Sequence, residues 1–130
     1  MIHEEICTYE VCKLAKEKGF NEYVEAFYAE DCNIPHTQGS EKWNEYKGRY
    51  AAPTQSLLQR WLREEKGIQI CIDCDLDFDD ETFVYEWQIA NKENFDNGGF
   101  EIHRYNSEES HSTYELALED AELYCLKNLL

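Results

Sequence analysis

Apolar residues recur at helical spacing after Pro53, and from Ile68 the pattern switches to strict alternation. Leu57, Leu58, Trp61 and Leu62 stand at i, i+1, i+4 and i+5, which makes one broad stripe on a helix. Gln55, Gln59, Arg60, Arg63 and Glu64 fall on the opposite side. Pro53 suits a first helical position, where its missing N–H costs nothing. Thr54 competes with it as the cap, because its hydroxyl can accept an orphan N–H two or three residues on. Lys66 favours the negative end of the helix dipole, and Gly67 supplies a left-handed stop. Beyond it Ile68, Ile70, Ile72 and Cys74 point one way, and Gln69, Cys71 and Asp73 the other. That alternation defines a half-buried strand. So short a link folds the helix back onto the sheet, so that Trp61 and the isoleucines share a core.

The same reasoning places the other elements. Thr8 caps a short helix with Val11, Cys12, Leu14 and Ala15 on one face, closed at Gly19. Tyr23 to Tyr28 has strand composition. Asp31 to Ser40, with Pro35 and Gly39, reads as a loop. Trp43, Tyr46 and Tyr50, at spacings of three and four, mark a short helix or a turn. Asp75 to Glu81 reads as a charged turn, and Thr82 to Ala90 alternates. Asn97-Gly98-Gly99 is a strong turn signal, and Phe100 to Tyr105 completes an antiparallel meander. Ser112-Thr113-Tyr114-Glu115 fits a capping box. The helix behind it extends to about Asn128, with Tyr114, Ala117, Leu118, Ala121, Cys125 and Leu129 on its core face. Leu116, Leu123 and Leu126 lie off that stripe. The expectation is an α+β fold: a two-layer domain spanning residues 1–130, its three-stranded antiparallel sheet packed by two or three helices.

Charge narrows the range of partners. Twenty-eight acidic against twelve basic residues give a formal net charge of −16. That disfavours direct binding to nucleic acid or anionic membrane and suits a basic protein partner. Arg60, Arg63 and Lys66, with Lys47 and Arg49 upstream, form only a small basic edge, broken by Glu64 and Glu65. The N-terminus MIHEEI lacks the basic and apolar regions of a secretion signal. No apolar run is long enough to span a membrane. Six cysteines without such a signal read as reduced thiols, so a cytoplasmic location is expected.

Chemistry-bearing patterns are sparse. Cys71-Ile72-Asp73-Cys74 has the C-x-x-C spacing, but on a strand positions i and i+3 face opposite sides. Asp75, Asp77, Asp79 and Glu86 occupy positions 1, 3, 5 and 12 of a calcium loop and are the candidate metal ligands. Position 6, where that loop needs glycine, is Asp80. His103 can share a strand face with Glu101 and Tyr105 as an acid–base group. Neither a catalytic motif nor a cofactor fingerprint is found, so the chain is not expected to be an enzyme. The candidate partner-binding residues are the aromatics Trp43, Tyr46 and Tyr50 and the off-stripe leucines Leu116, Leu123 and Leu126. A homodimer is one form that such a contact can take.

Two segments carry a family resemblance. Ala-Pro-Thr-Gln-Ser-Leu-Leu-Gln-Arg-Trp-Leu-Arg-Glu (Ala52 to Glu64), followed by the Ile-rich strand, resembles the signature of a family of small uncharacterised proteins from gut Bacteroidetes and their phages and prophages. Thr113 to Ala121 with Cys125 to Leu130 is similar to that family's final helix, and the first helix ending at Lys18 to Phe20 also looks like it. The resemblance covers roughly half the chain. It implies an intracellular bacterial or phage setting and transfers no activity. The acidic turn after the central strand departs from the family pattern. The function expected is that of a small acidic accessory or adaptor protein working through protein contacts. The alternatives are an acidic decoy that mimics nucleic acid toward a basic protein, and a divalent-metal-binding protein.

Overall fold

A computed structural model describes residues 2–130. The fold is α+β, as the pattern requires, but it contains two antiparallel sheets of three strands each, where the sequence pattern announced only the one that follows the main helix, behind Pro53. The first sheet comprises β1 (Val24–Ala29), β2 (His36–Glu41) and β3 (Arg49–Ala51), in the order β2-β1-β3. The second comprises β4 (Ile68–Asp77), β5 (Thr82–Asn94) and β6 (Phe100–Asn106), in the order β4-β5-β6. Three helices complete it: α1 (Tyr9–Glu17), α2 (Gln55–Lys66) and α3 (Tyr114–Tyr124).

The main helix forms as its sequence demands. Thr54 is the cap, and its hydroxyl accepts from the Leu57 N–H at 3.2 Å. Pro53 lies just outside. Gly67 closes the helix at φ 70°, a left-handed conformation that a Cβ would strain. Leu58, Trp61 and Leu62 are buried. Trp61 meets Phe20 edge to face at 5.3 Å, so the residue after α1 folds back into the same core. Burying one such side chain stabilises the fold by roughly 1.5–3 kcal/mol.

Several expectations need correction. Tyr114, expected on the core face of α3, is exposed, and Gln55, expected on the polar side of α2, is buried. His36–Glu41, within the stretch expected to be a loop, is strand β2. It is an edge strand with no buried residue, so no hydrophobic alternation announced it. The charged turn is shorter than expected, because β4 continues through Asp77 and only Phe78 to Glu81 turn. The cap of α3 is Thr113, which accepts from Leu116 N–H at 3.1 Å, one residue later than the capping-box reading. Finally, α3 does not run unbroken to Asn128: Cys125–Leu129 winds as a π turn. The wider winding leaves the adjacent Cys125 and Leu126 both fully buried.

Helices α2 and α3 pack on one face of the second sheet, and α1 lies against β3 and α3. Ile68, Ile70, Trp87 and Ile89 supply the sheet's share of the core. No described helix is long and apolar enough to cross a membrane.

Candidate functional site

The second sheet has one covered and one open face. Cross-strand partners share a face, and the pairs Cys71↔Gln88, Asp73↔Glu86 and Asp75↔Val84 lie on the open one. At one end this face carries Asp73, Asp75 and Glu86 in water and Asp77 half-buried. At the other it carries Lys92, Phe100, Ile102 and Arg104, all exposed. The Lys92 ammonium lies 4.8 Å from the centroid of the Phe100 ring. Along β4 the carboxylates recur every second residue, a spacing of about 6.8 Å.

This geometry separates the four candidate metal ligands. Asp75 and Asp77 lie on a continuous strand instead of wrapping a loop. The Asp77 Oδ1 accepts from the Asp79 N–H at 3.0 Å, capping the turn. Glu86 stands opposite Asp73 on β5. Among the described residues, the group of three ligand-type side chains that does converge is Glu93, Glu101 and His103. His103 Nε2 lies 2.9 Å from Glu93 Oε2 and 3.9 Å from Glu101 Oε2. The register that pairs Glu93 with Glu101 brings this trio together. His103 does share its face with Glu101 and Tyr105, as alternation requires. The contribution of Glu93, across the hairpin, depends on pairing that the linear sequence does not display.

The expected partner surface divides. Trp43 is 5% exposed and its indole N–H donates to the Val24 carbonyl at 2.9 Å, so it is core, not surface. It packs against Phe27, and the Arg49 guanidinium sits 5.4 Å from its ring. Tyr46 is exposed and Tyr50 half-buried. Of the leucines, Leu116 is exposed, Leu123 half-buried, and Leu126 is turned inward by the π turn. Cys71 and Cys74 are exposed on opposite faces of β4, which removes them as a chelating pair, and all six cysteines are free.

Two features escaped the sequence reading. One is an open cavity of about 670 Å³ between the end of the second sheet, the 107–111 segment and the π turn. His111 and Asp120 meet there, Nε2 to Oδ2 at 3.2 Å, and the Trp87 indole N–H donates to the same Oδ2 at 2.8 Å. The 107–111 segment is held in place by a bridge in which Tyr85 and His111 exchange backbone hydrogen bonds. The other is Glu122, 1% exposed, with neither carboxylate oxygen hydrogen-bonded. Burial, first, and then the charges of Cys7 and Glu119 hold its carboxyl well above the usual range. Glu122 falls four residues after Leu118 and three before Cys125, so its place on the buried stripe was visible on the helical wheel. Compared with family models, curated proteins and solved structures, the chain matches none.

Proposed function

We propose that the protein is a small cytoplasmic adaptor whose open β4-β5-β6 face docks a basic protein. The observation that supports this reading is the one-sided cover of the second sheet, which leaves Asp73, Asp75 and Glu86 on adjacent strands in water. Phe100 (60% exposed) and Ile102 (40% exposed) lie uncovered on the same face. Carboxylates steer and orient a basic partner, while the apolar end supplies contacts that salt does not screen. The decoy reading draws on the same carboxylates, repeated along β4 like the charges of a polyanion. It needs only the acidic end of the face.

Salt separates the two. Immobilised protein is exposed to a gut Bacteroides lysate, in keeping with the family resemblance, and washed first at low and then at high salt. For the adaptor, a partner held by wild type survives high salt and is lost when Ile102→Asp is used as bait. A nucleic-acid-binding protein that leaves at high salt and ignores Ile102→Asp selects the decoy. Retention by Ile102→Asp through the high-salt wash would place the interface elsewhere and overturn both.

A further inference from the structure

The cavity beside Asp120 is independent of the open sheet face, and we infer that it is a receptor for an organic cation: an ammonium or guanidinium group on an apolar stem. Its volume, about 670 Å³, lies in the range of small-molecule sites. Asp120 is the anchor. The Trp87 indole N–H donates to its Oδ2 at 2.8 Å, and the His111 Nε2, buried and without a hydrogen bond, lies 3.2 Å from the same oxygen. Among the described residues no hydrogen bond is made to its Oδ1, and the side chain is 51% exposed. A carboxylate fixed on one oxygen and open on the other is a positioned acceptor for a charged N–H donor.

The walls fit the same ligand. Tyr124 packs against Trp87 at 5.1 Å and against Tyr105 at 5.5 Å between ring centroids, giving a continuous aromatic wall. Both tyrosines are half-buried, so ring surface faces the cavity. Cations are attracted to such faces within about 6 Å. Glu108 and Glu109 stand at the rim and disfavour an anion. Lys127, which also lines the cavity, is drawn to Glu10 at 3.1 Å, so its charge is already matched. Its backbone belongs to the π turn that shapes this wall, and such turns recur at functional sites.

The test uses the isotopically labelled full chain and needs no partner protein. The Trp87 indole N–H resonance is followed while butylammonium, or lysine capped at both ends, is added. Butanol and capped Nε-acetyl-lysine are the neutral controls. The expected result is a saturable shift of the Trp87 resonance with the cations only. Asp120→Asn weakens binding about tenfold or more, the share of one charge-assisted hydrogen bond, and Tyr124→Leu weakens it as well. Asp75→Asn, on the open face, leaves it unchanged. Unshifted Trp43 and Trp61 indole resonances certify that each variant is folded, and Tyr124→Leu carries the test alone if Asp120→Asn unfolds. Tighter binding of butylammonium identifies a free amine as the ligand; tighter binding of capped lysine identifies a basic side chain. No saturable shift, equal shifts with the neutral controls, or full affinity in both cavity variants would overturn the inference. None of these outcomes bears on the proposed adaptor function, which rests on the other face of the sheet.

Discussion

Glu122 is the residue whose chemistry most opposes its surroundings. Its carboxyl is buried with no hydrogen-bond partner, beside Cys7 and Cys125. In the unfolded chain it titrates near 4.5, and in the fold it keeps its proton to higher pH. Folding therefore takes up a proton between those two values. The stability linked to this group is complete below about pH 4.5 and is lost as pH rises through the folded pKa. Glu122→Met keeps the shape and removes the unpaired polar group. It should raise stability at neutral pH by about 1–3 kcal/mol, and the gain should shrink toward pH 4 in urea titrations run across pH. The neighbouring thiols are affected by the same environment. Burial, then the charge of Glu122, pushes Cys125 up to about 12. Its hydrogen bond with Cys12, then burial, raises Cys7. Thiolate is the reactive form, so Cys7 and Cys125 should resist a disulfide-exchange reagent until the chain unfolds, and Cys12 should do so because it is fully buried. Cys71 and Cys74, both exposed, should react at once, as mass spectrometry of the labelled peptides would show.

Among the elements, α2 shows how much a short stretch can specify alone. Cap, stripe and stop are all local: Thr54, Leu58, Trp61, Leu62 and Gly67 sit where the spacing put them, while Pro53 falls outside the helix and Gln55, on the expected polar side, is buried. Thr54→Ala should cost about 1 kcal/mol through the lost cap. Gly67→Ala should cost about as much or more, because its φ of 70° is left-handed. Thermal melts would read both, and a neutral Gly67→Ala would contradict the left-handed stop. The second sheet was legible for a related reason: its Ile, Trp and Tyr residues alternate, and alternation reports the face directly. β2 was not legible because an edge strand made of HTQGSE has no apolar face to reveal, and its existence follows from pairing with β1. Trp43 was misread as surface because three aromatics at helical spacing carry no sign of which one finds the Val24 carbonyl. The π turn was hidden because its residues, Cys-Leu-Lys-Asn-Leu, suit an α-helix equally well. Convergence of Glu93, Glu101 and His103, or of His111 and Asp120, depends on tertiary register, which no local pattern encodes.

Over the whole molecule, the question is where the charge of −16 is concentrated and what it opposes. Dispersed over a surface, such an excess chiefly keeps a protein soluble. Here part of it lies in one plane, on strands whose other face is fixed to the core by Ile70, Trp87 and Ile89. Carboxylates held by a sheet lose little further freedom on binding, so their field is available to a partner at small entropic cost. Replacing Asp73, Asp75 and Glu86 together by lysine moves the net charge by two units per residue and reverses the local field. All three are exposed, so stability should change little, within about 0.5 kcal/mol per site. The like-charge opposition across the 73–86 pair is kept with its sign reversed, so it changes stability in neither direction. Association with a basic partner should slow by about tenfold or more at low salt, and the difference from wild type should close as salt rises. Ile102→Asp should instead speed dissociation at every salt concentration, because it removes contact surface that salt does not screen. Stopped-flow measurement of both rates with a captured partner would separate the two roles. A triple-lysine variant that associates as fast as wild type would exclude this face as the docking surface.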